Sequence, residues 1–319
     1  MRHRTYVSFA VLAAIALAVA CADTDPVRTT APVTVDGRIP VFAGTAGPKY
    51  VLPTGKGLDV AFDPNPPART KNKLDYHNGP IMPGTQHIYT ILYGTWGDPD
   101  TSTNANIVTY PLWNFCGQPY TNMWRAYTDY LGRAPLGCIL FSPPVVDAYS
   151  HGATLSDADV ADIVRQQLAA NPFLDDPDAI FLVISSVDVA NPGYGVTNCG
   201  WHGRFDYNGV SRRIGYLGWP ERAATNCAPF GVGPNGTVGA DANASHIIGL
   251  LSDIVTDPDL NAWSDKIGLE MADKCVWTYG TTYEAPNGKP ANLKLGARDF
   301  LLQQLWVPNR NGGVCAMRP

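Results

Sequence analysis

Ala179-Ile180-Phe181-Leu182-Val183-Ile184 is a continuous apolar run. It suits a central strand of a sheet buried on both faces, because a strand with one wet face alternates apolar and polar residues. Upstream, Ile88-Tyr89-Thr90-Ile91-Leu92-Tyr93 is rich in β-formers, and Ile139-Leu140-Phe141 reads as a short buried strand. Between that strand and the central run the signals predict a helix. Ser156 stands at its N-cap with Asp159 three residues on. Val160, Ile163, Val164 and Leu168 form its stripe, and Pro172 stops it. Downstream, Cys199 to Gly203 and Ile214 to Leu217 read as the two arms of a hairpin-like region. A helix is predicted from Ala242 to Val255, ended by Asp257-Pro258. Two further helices are predicted, one after Pro119 carrying Met123, Trp124, Tyr127 and Leu131, and one from Ala297 to Trp306. Strands interleaved with helices give an α/β or α+β class, a single domain with a mixed sheet flanked by helices.

The 319-residue chain opens with Arg2 and Arg4, followed by an apolar stretch from Val7 to Ala20. That stretch is shorter than the ~20 residues a membrane span needs. A basic start, a short apolar core and small residues at its end are the pattern of an export signal. Residues 1–21 are therefore expected to be a signal peptide. Leu17-Ala18-Val19-Ala20-Cys21 looks like a lipobox, which would leave Cys21 lipidated at the new N-terminus; ordinary cleavage near Ala20 or Ala22 is the alternative. Residues 22–70, rich in Pro, Thr, Gly and Asp, read as a tether and irregular lead-in to a domain over 71–319. The net charge is only −5 and the basic residues are scattered, which argues against a nucleic-acid surface. The membrane enters only through a lipid on Cys21. Charged residues make up 16%, beside 31 Gly and 27 Pro, a loop-rich balance.

Without Cys21 six cysteines remain: Cys116, Cys138, Cys199, Cys227, Cys275 and Cys315. An even set in an exported chain suggests disulfides. Connectivity does not follow from the sequence; pairing each cysteine with its neighbour gives Cys116–Cys138, Cys199–Cys227 and Cys275–Cys315. No Cys-x-x-Cys pair points to a zinc ribbon or a redox site.

Six blocks in order resemble the EXORDIUM family, also called phosphate-induced proteins. Tyr76-His77-Asn78-Gly79-Pro80 with the Ile88 strand comes first. Ser150-His151-Gly152-Ala153-Thr154-Leu155 follows, then the Phe181 strand with Val187-Asp188-Val189, and Cys199-Gly200-Trp201-His202. The fifth is Pro234-Asn235-Gly236-Thr237-Val238-Gly239-Ala240-Asp241. The last combines Thr256-Asp257-Pro258, Asn261-Ala262-Trp263, Asp273-Lys274-Cys275 and Leu301 to Trp306. The resemblance implies a secreted protein of the cell wall or extracellular space, linked to growth and cell expansion, with no settled catalytic activity.

The family pattern places His-Glu-x-x-Glu just before the Thr-Asp-Pro block, the spacing that turns two ligands to one helix face as in zincins. Here the block is Gly249-Leu250-Leu251-Ser252-Asp253, so only the last carboxylate survives. A substitute metal site would use His246, two turns before Asp253, with Glu270 or Asp273. The bland reading of His246 is a histidine bonded to a carbonyl. A second departure is Gly195, where the family carries a cysteine. Asp188, after the central strand, His202, beside Cys199, and Asp241, at the start of a helix, are further candidates; a turn cap, a backbone-bonded histidine and a helix cap are their structural readings. Ser150-His151 with Asp147 lacks the Gly-x-Ser-x-Gly elbow of a serine hydrolase. Trp96, Trp113, Trp124 and Trp201 could stack on sugars or fill the core. Asn235-Gly236-Thr237 and Asn243-Ala244-Ser245 fit the glycosylation pattern.

Loss of the histidine and first glutamate favours a non-catalytic protein that binds a cell-wall polysaccharide or other extracellular component, with no cofactor. The alternative is a metal-dependent, peptidase-like hydrolase with a rearranged zinc site. A purely structural surface protein is the third reading.

Overall fold

The computed structural model describes residues 72–97, 103–196 and 198–319, and the backbone of three short strands at 33–35, 39–41 and 49–51. The leader, with Cys21, lies outside the described residues.

One seven-stranded mixed sheet organises the chain. Its strands are β1 (Lys49–Val51), β2 (Gly84–Tyr93), β3 (Pro135–Phe141), β4 (Val145–Asp147), β5 (Ala179–Ser185), β6 (Gly200–Tyr207) and β7 (Val210–Leu217). The order across the sheet is β1-β6-β7-β5-β2-β3, with β4 also beside β2. β5 runs parallel to β7 on one side and to β2 on the other. β6 and β7 form the antiparallel hairpin, with Tyr216 opposite Trp201 and Gly215 opposite His202.

Every residue of β5 is buried. Its side chains divide by parity, as a pleated strand requires. Ile180, Leu182 and Ile184 enter a core with Ile88 and Leu92 of β2 and with helices α1 (Thr103–Asn114) and α3 (Gly239–Thr256). Phe181 and Val183 enter a second core with Ile91, Tyr93, Ile214, Tyr216 and helix α2 (Asp157–Ala170). A continuous apolar strand therefore has a helix layer on each side, as predicted.

The Ser156 signal is realised as a full capping box: the Ser156 hydroxyl accepts from the Asp159 backbone N–H, and the Asp159 carboxylate accepts from the Ser156 N–H. The three neighbouring cysteine pairs are disulfides.

Two expectations need correction, and one helix has no forerunner in the sequence signals. Residues 297–306 are not a helix: Arg298–Phe300 and Leu305–Val307 are short strands. Their apolar spacing imitates a helix, yet the backbone N–H groups are claimed from far away. Leu302 N donates to Asn292 Oδ1 (2.9 Å), Gln303 N to Ser245 Oγ (2.9 Å), Gln304 N to Thr278 O (2.7 Å) and Trp306 N to Met271 O (3.0 Å). Those donors cannot also close helical turns. The helix after Pro119 is a short 3-10 segment, Thr121–Ala126, and Leu131 is exposed. Tyr127 leaves helical geometry to send its hydroxyl to Trp306 O. Finally, α1 forms although no helix is predicted there; it has no charged residue at either end and contains Pro111, so the usual terminal signals are absent.

Replacing Ser156 by Ala is expected to lower unfolding free energy by about 1 kcal/mol. Urea denaturation checks this; an unchanged midpoint would show that the cap is dispensable.

Candidate functional site

Helix α3 is buried over almost its whole length. Ile247, Ile248, Leu250, Leu251, Ile254 and Val255 cover most of its circumference, which suits a helix enclosed on all sides. Most of its polar side chains find partners inside the protein. Asp253 does so near the carboxyl end, where its Oδ1 accepts the Ala272 N–H at 2.6 Å.

This bond brings the 265–275 segment against α3. Asp253, Glu270 and Asp273 then each offer a carboxylate oxygen within 4.8 Å of the others, all three residues being buried. Asp273 Oδ2 also accepts the Glu270 N–H at 3.2 Å. From the sheet, His202 Nε2 meets Glu270 Oε2 at 3.1 Å, with both side chains at most 1% exposed. Beside the cluster, the buried ammonium of Lys274 pairs with Asp265 at 3.2 Å and lies 4.4 Å from the Trp306 ring. Three carboxylates this close repel one another unless a proton or a cation is shared among them.

The cluster differs from the expected ligand set in its histidine. His246 is not among the grouped residues. It lies seven residues before Asp253, about 10 Å along the axis, with its ring edge-on to Trp277 (centroids 5.4 Å, 82°). Neither ring nitrogen has a hydrogen-bond partner, so the carbonyl-bonded reading is also overturned. Burial pulls its pKa down from 6.5 to about 3.

The lost motif positions are filled. A Cβ on Gly249 would sit 2.6 Å from Gln303 Nε2 and 3.6 Å from Ala272 Cβ, so the Gln303 amide occupies the space next to the missing side chain. Leu250 packs onto Gly215, the strand neighbour of His202. Neither position offers a ligand or a base. An all-carboxylate set of oxygens suits a hard divalent cation better than zinc. All three residues are buried, whereas a catalytic zinc keeps one coordination position open to water or substrate. The helical histidine–glutamate pair of a zincin is absent.

The remaining candidates fall elsewhere. Asp188 is exposed beyond the carboxyl end of β5, where its carboxylate accepts from Ser186 Oγ (2.5 Å) and from the Tyr149 hydroxyl. Asp241 lies in the first turn of α3 and accepts from Asn235 and Thr237, tying down the loop before the helix. Asn235 and Asn243 donate to Asp241 and to Gly218 O, so both glycosylation-pattern side chains are engaged internally. Ser150 Oγ donates to Asp147 Oδ2 (2.7 Å) and lies 2.9 Å from His151 Nδ1, while His151 Nε2 meets Asp162 at 2.9 Å. The backbone N–H groups of Ser150, His151 and Gly152 are all engaged, leaving no local oxyanion donors there. Trp96, Trp124 and Trp201 are core residues and only Trp113 is exposed, so they form no platform.

The family model described as phosphate-induced protein 1 conserved region matches residues 74–315. The chain belongs to the phosphate-induced protein family. Among curated relatives, Protein EXORDIUM-like 5 of Arabidopsis thaliana is 27% identical over 278 residues, spanning 74% of this chain and 76% of the relative. Protein EXORDIUM of the same plant is 26% identical over 282 residues, 74% of this chain and 86% of the relative. Protein PHOSPHATE-INDUCED 1 of Nicotiana tabacum is 25% identical over 234 residues, 65% and 72%. No solved structure matches the chain significantly. The phosphate-induced protein family match thus covers the sheet from β2 onward, the carboxylate cluster and all three disulfides.

His246 gives a pH test. The unfolded chain takes up a proton below about 6.5, whereas the folded site resists it down to about 3. Its contribution is complete above 6.5 and is lost as pH falls toward 3. His246→Leu is expected to flatten the acid side of the stability–pH curve in that window, measured by urea denaturation; an unchanged slope would show that His246 is not held neutral.

Proposed function

We propose that this member of the EXORDIUM-like family is exported and works at or outside the cell envelope by binding a cell-wall or other extracellular component, without catalysis. The observation that carries the non-catalytic part is the filling of the motif. The Gln303 amide stands against Gly249, Leu250 has no base, and the nearby carboxylates are enclosed. Metal-hydroxide chemistry requires an open position and a base within reach. Export rests on the leader and on the six cysteines that pair within the domain. Among the described residues no helix is long and apolar enough to cross a membrane. Attachment through a lipid on Cys21 rests on the lipobox-like end of the leader.

A metal-dependent hydrolase remains the second reading, favoured by the approach of Asp253, Glu270 and Asp273. Elemental analysis of purified protein separates the two. No stoichiometric transition metal is expected, and His246→Ala should leave metal content and any binding unchanged; stoichiometric zinc together with peptide hydrolysis would install the second reading.

Cys21→Ser is expected to move the protein from the membrane to the soluble fraction. Wild-type protein that is already soluble and begins at Ala22 or later would remove the lipid anchor while leaving export intact.

A further inference from the structure

A small, partly open pocket lies at the amino end of α3, twelve residues and about 18 Å along the helix from Asp253. Its walls include Phe230, Trp277 and Tyr279, with Pro234, Ser245 and Asp241 beside them. The volume is about 40 Å³, measured as room for the centre of a water molecule. That is a sphere of roughly 2 Å radius, and adding the water's own ~1.4 Å gives space for a compact group of roughly 3.5 Å radius.

Phe230 stands at a steep angle to each of the other two rings. Phe230 meets Trp277 at 64° (6.5 Å) and Tyr279 at 85° (5.4 Å). Trp277 is held in the left-handed backbone region, φ 63°, an uncommon state for a residue with a side chain. Such outliers persist where the surroundings impose them and concentrate at ligand sites.

Asp241 supplies the charge. Its Oδ1 accepts from Asn235 N (3.0 Å) and Asn235 Nδ2 (2.8 Å), and its Oδ2 from Thr237 N (3.1 Å) and Thr237 Oγ1 (2.9 Å). All four donors are neutral, and no ion pair involves Asp241 among the described residues. Arg298 reaches Asn235 Oδ1 instead, at 3.2 Å, and lies over the Tyr110 ring. A carboxylate has about four lone-pair positions, so these bonds leave little to accept a ligand hydroxyl. What Asp241 still offers is negative charge. Its approach also depends on Gly233, where a Cβ would lie 2.4 Å from Asp241 Cβ.

We infer that this pocket binds an alkylated ammonium group, held by the faces of Phe230, Trp277 and Tyr279 and balanced by Asp241. Aromatic faces attract cations, most strongly when water is excluded. A sugar would need acceptors that Asp241 has already committed. The inference stands on the pocket alone, independent of whether the carboxylate cluster is catalytic.

The test is a titration of the purified protein with choline, followed by tryptophan fluorescence at constant ionic strength against sodium chloride. The comparison ligand is choline's neutral isostere, with carbon in place of nitrogen. Choline should give a saturable change, and the isostere should bind about tenfold more weakly. Asp241→Asn and Phe230→Leu should each weaken choline by a similar factor. If Asp241→Asn fails to fold, Phe230→Leu decides. Absence of a saturable choline signal, equal binding of the isostere, or choline binding unaffected in a folded Phe230→Leu would each overturn the inference.

Discussion

Burying the whole circumference of α3 presses its polar groups to be matched within the protein, and His246 is the side chain left without a partner. Ser245 Oγ accepts the Gln303 N–H, Ser252 Oγ accepts the Trp124 indole N–H, and Asp253 accepts the Ala272 N–H. Each bond recruits a segment distant in sequence. The Gln303 and Ala272 bonds fix the irregular chain from 265 to 306 around the helix, and the Trp124 bond ties in the 121–126 segment. The Cys275–Cys315 disulfide closes that wrapping. Each of these bonds is made where no water competes for the groups involved, and leaving any of those groups unpaired there would be costly. The carboxylate cluster is part of the same wrapping, and its position follows from how the segment satisfies α3.

The elements that the sequence made legible are those whose local signals agree with their burial. β5 is apolar throughout because both faces are covered. α2 carries a cap, a stripe and a stop, and it forms within a residue of where those signals lie. The apolar pattern at 301–306 is equally regular, but there the spacing reflects contacts with separate partners. Leu302, Leu305 and Trp306 are all buried while the backbone between them bonds to Asn292, Ser245, Thr278 and Met271. Periodicity cannot distinguish a helix face from an extended segment threaded through a core, because both place apolar residues a few positions apart.

The candidate site divided along the same line. Asp253, Glu270 and Asp273 could be named from the motif and its downstream acidic block, since proximity on a helix and a following loop are short-range matters. His202 on the sheet is also a candidate from the sequence, but its pairing with Glu270 could not be read. His202 reaches Glu270 across 68 residues, and only the register of β6 with β7 places it there. His246 carried the stronger sequence signal through its helical spacing from Asp253, yet a shared face does not mean a shared site when two turns intervene.

The fit of Gln303 against Gly249 links two positions that lie far apart in the chain. A histidine introduced at 249 would meet the Gln303 amide before it could reach Glu270 or Asp273. Shortening Gln303 alone would leave a void beside a glycine in an enclosed helix. A side chain at 249 requires the Gln303 amide, the flexible end of its side chain, to swing aside. In evolutionary terms the two positions are coupled: which side chain is tolerated at 249 depends on where residue 303 places its amide.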